Sequence, residues 1–383
     1  MQECGCREGV MAMEKESKLI WPDYGNCLVN IPNSVLKGFG EKPLGVTHPF
    51  IDTYLEKEYK NVVLFLLDGM GVKILEKHLK EDGAFRSHLA GTTQSVFLST
   101  TVAATVSAIT GLHPCEHSWL GWDCYYPSID RNVTVFLNVI QGTDCPAADY
   151  HVANSVTPYE SVVDKLNKAG HQAYDAMPFA PPFPGDAEAI CERIKRLCRK
   201  DGKKYIYAYW NQPDGLLHRY GCEAEIVTQE LTYLEEMITA MASELEDTLL
   251  IVTADHGHID TDVVYLKDYP ALWECLERCP SLEPRVLNLF VKEERKEFFV
   301  KEFNKEFGEK FLLMPMEDVI AKNLMGTGKN HEQFRQMLGN YLAIATGDLT
   351  ILFTEEEFKS MHGSITEDEM LIPLIIFDGK NEN

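Results

Sequence analysis

Three apolar runs of strand length, each followed closely by an acidic residue, constrain this chain more than any other feature. Asn61 to Leu67 ends in Asp68-Gly69, Lys204 to Trp210 leads into Asn211-Gln212-Pro213-Asp214, and Thr248 to Thr253 is followed by Ala254-Asp255-His256-Gly257-His258. Runs that are apolar throughout, instead of alternating, are expected of strands covered on both faces, as in a parallel sheet. Between them lie helical patterns over Val72 to Leu79, Ala187 to Arg199 and Glu223 to Leu245. The predicted fold class is therefore α/β, a mostly parallel central sheet flanked by helices, with an inserted or appended subdomain. Ligands of open α/β sheets bind outside the carboxyl ends of the strands. The acidic residues are thus delivered to the place where chemistry is usually done.

With 383 residues, 45% of them hydrophobic, the chain can bury a large core, and residues 1–383 are read as one large domain. Residues 113–184 are irregular and aromatic and are expected to elaborate the region beside the site. Residues 284–347 alternate strand and helix patterns and are expected to form a small subdomain. A formal net charge of -23 argues against binding a nucleic-acid polymer, whose affinity comes from Lys and Arg displacing counterions. Eleven cysteines with no CxxC pair read as reduced thiols. The first residues lack a basic and an apolar leader segment, Met11 or Met13 can serve as alternative starts, and no apolar run is long enough for a bilayer. The expectation is a cytoplasmic protein without membrane association.

Other candidate residues fall near the strand ends. Phe97 to Gly111 carries small residues at helical spacing, closed by glycine, which puts Thr101 at a helix N-terminus. Free N–H groups there attract phosphate-like anions, and a hydroxyl there becomes a nucleophile if its pKa is lowered. Asp214 and His218, four apart, face the same way on one helical turn and can share a cation. His362-Gly363 sits in a late loop. Each residue alone has an ordinary alternative, such as a helix cap for Asp68 or Thr101. Together, Asp68, Thr101, Asp214, His218, Asp255, His256 and His362 make a set, nearly all at the ends of predicted strands.

With these motifs in order, the sequence resembles the alkaline phosphatase superfamily, and within it the type I phosphodiesterase/nucleotide pyrophosphatase family, from about residue 60 onward. The matching motifs are Asp68-Gly69, Thr101 nine residues before Thr110-Gly111, Pro213-Asp214 through His218, Asp255-His256-Gly257, and His362-Gly363. The resemblance implies an alkaline phosphatase-like core, Thr101 as nucleophile, and two divalent ions, zinc or alternatively manganese. One ion would be held by Asp214, His218 and His362, and the other by Asp68, Asp255, His256 and the Thr101 oxygen. It implies hydrolysis of a small phosphorylated substrate, such as a nucleotide, with diesters or pyrophosphates preferred. A phosphomonoesterase, a phosphomutase or phosphotransferase, and a non-catalytic metal-binding homologue are the alternatives. Many members carry Asn three residues after the nucleophile, where this chain has Ala104; backbone N–H groups after Thr101 can substitute. Arg219 is the one arginine at a site position, and His258 is left outside the expected ligand set because Asp-His adjacency favours His256.

Overall fold

The computed structural model describes residues 18–353 and 357–380, so the expectations about the leader and the alternative starts at Met11 and Met13 lie outside the described residues. Six strands form the central sheet: β1 (Asn61–Leu67), β2 (Leu89–Gln94), β3 (Gln172–Ala176), β4 (Lys204–Trp210), β5 (Thr248–Thr253) and β6 (Leu371–Asp378). Their spatial order is β2-β6-β5-β1-β4-β3. β1 pairs in parallel with β4 and β5, and β3 with β4. β6 runs antiparallel to both β5 and β2. The sheet is therefore mixed and mostly parallel, as the apolar runs predict.

Every residue of β1 and β5 is buried, which requires cover on both faces. Val72–His78 and Ala187–Cys198 pack with Glu225–Ser243 as one group of helices. Asn30–Gly38, Thr101–Thr110 and Val162–Lys168 pack together as another. Each fully buried Val, Leu, Ile or Phe in this core stabilises the fold by about 1.5–3 kcal/mol relative to exposure. No helix among the described residues is long and apolar enough to cross a membrane.

A second, antiparallel sheet lies beside the first. Its order is Phe311–Pro315, Tyr341–Ala345, Val286–Leu289, Ser281–Glu283, Asp123–Tyr126, Arg131–Thr134 and Val139–Ile140. Residues from 113–184 and from 284–347 thus contribute strands to one sheet, joined where Leu282 pairs with Asp123. The Thr101–Thr110 helix is the seam between the two sheets. Ala103, Ala104 and Ala108 belong to the core of the central sheet, while Val102 and Val106 belong to that of the second. Small residues on one face let the helix approach the central core closely.

A buried ion pair ties the second sheet to the loops that follow β5 and precede β6. Arg285 donates to Glu369 from Nε at 2.7 Å and from Nη2 at 2.8 Å, both residues being fully buried. Glu369 in turn accepts from the Ser364 amide and the Thr366 hydroxyl, and its backbone carbonyl accepts from the Gly257 amide. Glu369 therefore holds both loops, the one that carries His362 through its carboxylate and the one that carries His256 through its backbone carbonyl.

Candidate active site

The parallel register explains why the acids meet. Leu66 of β1 is opposite Thr253 of β5, and Leu67 is opposite Trp210 of β4, so all three strands end at one level. Asp68, Asp214 and Asp255 follow within a few residues. Glycine is required beside two of them. At Gly69, where φ is +78°, an added Cβ would lie 3.0 Å from the Asp214 Cα, and at Gly257 it would lie 2.0 Å from the Asp368 carbonyl oxygen.

Asp68, Asp255 and His256 are buried and form one cluster. His256 Nε2 lies 3.3 Å from Asp68 Oδ1, 3.5 Å from Asp255 Oδ2 and 3.2 Å from the Thr101 hydroxyl. Thr101 Oγ1 is 3.4 Å from Asp68 Oδ1. Thr101 is the first residue of its helix, as its sequence predicts. The far oxygens of the acids are fixed from behind: Tyr209 donates its hydroxyl to Asp68 Oδ2, and Asp255 Oδ1 accepts from the Gly69 and His256 amides at 3.0 Å.

A second cluster adjoins it. Asp214, His256, His258 and His362 each place a ligand atom within 4.8 Å of the others. His258 Nε2 is 2.8 Å and His362 Nε2 is 3.5 Å from Asp214 Oδ1. His218 Nε2 lies 3.4 Å from the same oxygen. The rings of His256 and His362 stack at 3.7 Å between centroids. All seven residues of the expected set are thus at one end of the sheet. His258 joins them although the sequence reading leaves it out. The signal for it was the second His of Asp-His-Gly-His, which becomes decisive only when Asp214 is seen opposite.

Donor orientation fits a metal. His218, His256 and His362 each direct Nδ1 at a backbone carbonyl, of Ser360 at 2.9 Å, Gly257 at 3.1 Å and Ser99 at 3.2 Å. A carbonyl only accepts, so Nδ1 carries the hydrogen and Nε2 offers its lone pair to the centre. Asp255 Oδ2 is buried with no hydrogen-bond partner among the described residues. Ligand atoms about 2.0–2.1 Å from a tetrahedral zinc lie about 3.3 Å from one another, which matches most of the spacings above.

The electrostatics also call for cations. Burial and the adjacent Asp68 charge push the Asp255 carboxyl well above its usual range. Burial opposes protonation of His256, but Asp255 and Asp68 outweigh it and raise its pKa to about 10. His362 is held well below its normal value by burial and by the neighbouring His256 and His258, and burial together with His218 lowers His258 to about 4. Burial works against ionisation of Asp214, yet His218, His258 and His362 hold it well below the carboxylate range. Beside His218 runs a groove of about 600 Å³ lined by Arg219, Lys359, Tyr265 and Phe358 among others.

Residues 182–307, which include Asp214, His218, Asp255, His256 and His258, match the model of the type I phosphodiesterase / nucleotide pyrophosphatase family. No curated protein matches the chain. Among solved structures, an inactive form of murine ectonucleotide pyrophosphatase / phosphodiesterase 5 in complex with AMP is 16% identical, with 83% of this chain and 89% of that chain covered and a TM-score of 0.58. The human ectonucleotide pyrophosphatase / phosphodiesterase 5 is also 16% identical, over 84% and 90% of the two chains, with a TM-score of 0.58. Phosphonoacetate hydrolase from Sinorhizobium meliloti 1021, in complex with phosphonoformate, is 14% identical over 84% and 90%, with a TM-score of 0.62. The chain has the fold of the alkaline phosphatase superfamily and, within it, resembles the phosphoric ester hydrolases of the type I phosphodiesterase / nucleotide pyrophosphatase family.

Proposed function

We propose that the chain hydrolyses a small phosphorylated substrate, with phosphodiester or nucleotide pyrophosphate bonds preferred, through a covalent threonine intermediate at a site for two divalent ions. Zinc suits the nitrogen and oxygen donors, and manganese is the alternative. The observation that carries this reading is the convergence of three Nε2 atoms, each oriented by a carbonyl behind it, on Asp214 and on Asp68, the latter beside the Thr101 hydroxyl. Asp68, Asp255, His256 and Thr101 would hold one ion. Asp214, His362 and His218 would hold the other, with His258 competing for a place. When bound, the ions supply positive charge that lowers the pKa of the Thr101 hydroxyl and offsets charge on the phosphoryl oxygens.

The chain's own residues then have separate tasks. Thr101 Oγ1 gives its proton to solvent and bonds to phosphorus as the bond from phosphorus to the leaving oxygen breaks. Water then bonds to phosphorus, and the threonine oxygen departs and regains a proton. Tyr209 keeps Asp68 aimed at Thr101. The groove beside His218 offers Arg219 and Lys359, with the rings of Tyr265 and Phe358, to the part of the ester beyond phosphorus. A cytoplasmic location belongs to the same reading, supported by nine free cysteines among the described residues.

The test compares hydrolysis of bis-p-nitrophenyl phosphate and p-nitrophenyl phosphate by zinc-loaded protein. A ratio well above one supports the diesterase. A ratio well below one replaces it with a monoesterase and makes Arg219 the first candidate for holding the extra charge. Bound zinc with turnover of neither ester, nor of dinucleotides, would make the chain a metal-binding protein without this chemistry.

A further inference from the structure

Glu283 ends the short strand Ser281–Glu283 of the second sheet and is 3% exposed. Its Oε1 accepts from the Thr100 hydroxyl at 2.6 Å and from the Trp122 amide at 2.7 Å. The carboxyl thus joins the residue before the nucleophile to the second sheet. A Cβ at Gly363, next to His362, would lie 3.2 Å from the Glu283 Cβ, so the side chain also borders a ligand loop.

Thr100 is the N-cap of the Thr101–Thr110 helix, with extended backbone at φ -137° and ψ 150°. A threonine there ordinarily accepts from an amide of the first turn, which stabilises the helix. This one makes no such bond. Its carbonyl still accepts from the Ala104 amide at 2.9 Å, so the helix begins normally and only the side chain is diverted. The amides of Thr101, Val102 and Ala103 have no carbonyl partner within the helix. An uncapped helix start beside a nucleophile and two acid clusters has unused donors where the phosphoryl oxygens would lie.

We propose that Glu283 is a positioning residue for phosphoryl transfer: by drawing the Thr100 hydroxyl toward the second sheet, it keeps the first-turn amides open to the phosphoryl oxygens and fixes the approach of Thr101. This rests on the reading of Thr101 as nucleophile. It also gives Ala104 a physical context, because open amides replace a side-chain donor at that turn. Burial raises the Glu283 carboxyl to about 8, against the Thr100 and Trp122 hydrogen bonds, and what Thr100 and Trp122 require of it is one acceptor oxygen. Glutamine can perform the same task.

The experiment uses the zinc-loaded full chain with E283A, E283Q and the double variant E283A/T100A. It reads zinc content, affinity for inorganic phosphate, and kcat and KM on bis-p-nitrophenyl phosphate. In E283A the Thr100 hydroxyl is free to cap the helix, so phosphate affinity and kcat/KM fall roughly tenfold or more, as when an oxyanion donor is withdrawn, with zinc unchanged. E283Q retains most of both. Removing the capping hydroxyl in E283A/T100A restores most of the phosphate affinity, which a merely structural loss would not do. If E283A does not fold, E283D and E283D/T100A make the same comparison, because the shorter side chain draws the acceptor back from Thr100. A double variant no better than its single parent, or a single variant as active as the original, overturns the proposal. Phosphate binding needs no turnover, so a chain that hydrolyses no ester would refute the assigned function while still testing Glu283.

Discussion

His256 Nε2 and Thr101 Oγ1 lie 3.2 Å apart although 155 residues separate them in the chain. A hydroxyl placed there, at the start of a helix and against the Asp68 carboxylate, has few structural uses. Thr101→Ala is expected to lower turnover of bis-p-nitrophenyl phosphate by roughly a thousandfold or more, as loss of a nucleophile does in other hydrolases, while bound zinc stays within error of the original. Thr101→Ser retains a measurable share. Activity of the alanine variant within tenfold of the original would remove Thr101 from its role.

Asp255 Oδ2 has no hydrogen-bond partner among the described residues and lies 3.5 Å from His256 Nε2, so its amide analogue loses charge and ligand quality but no hydrogen bond at that atom. Asp255→Asn is expected to bind one ion fewer per chain, measured by elemental analysis after gel filtration. Two ions retained would mean that Asp68, His256 and Thr101 suffice.

His258 bonds Asp214 through Nε2 and the Ser360 hydroxyl through Nδ1 at 3.1 Å. As an outer support of Asp214, its loss in His258→Ala would weaken the adjacent ion about 10–100-fold with stoichiometry unchanged under excess zinc. As a direct ligand, its loss would lower the stoichiometry itself. Zinc titration against a competing chelator separates the two.

His256 keeps its proton up to about 10 in the metal-free protein, and a ligand nitrogen must give that proton up. Zinc uptake at pH 8 is therefore expected to release protons, and the release should shrink as pH rises through about 10. Without metal, a raised pKa of this kind adds stability below the unfolded value near 6.5, and that contribution is lost as pH rises through 10. Calorimetry in buffers of different ionisation enthalpy measures the release, and proton-neutral uptake at pH 8 would contradict it.

The Arg285–Glu369 pair is buried on both sides. Arg285→Ala leaves the carboxylate uncompensated and is expected to cost about 3–5 kcal/mol, whereas Arg285→Met with Glu369→Leu costs less. Urea unfolding of the metal-free protein measures both. Equal losses would show that the charge left behind is not what destabilises the single variant.

How much was legible in the sequence depended on how local each signal is. The strands behind Asp68, Asp214 and Asp255 announce themselves as apolar runs, and the Thr101–Thr110 helix is closed by Gly111 at φ +74°. The second sheet was harder to read because its strands are short and paired across long separations. Ser281–Glu283 has three residues, and its partner around Asp123 lies far upstream. No local pattern marks such a pairing. His258 and Glu283 were missed for a related reason: their significance lies in Asp214 and Thr100, neighbours in space only. Tyr209 reads as one more apolar strand residue until its hydroxyl is found on Asp68.

The ligand set stretches from Asp68 to His362, and Glu369, which braces two of its loops, comes later still. A nascent chain therefore exposes Asp68 and Thr101 long before their partners leave the ribosome. Contacts this distant in sequence close slowly, and a product truncated before residue 362 would lack the ring that stacks on His256 and approaches Asp214. Zinc stoichiometry after gel filtration would then separate polypeptides that extend past His362 from shorter ones.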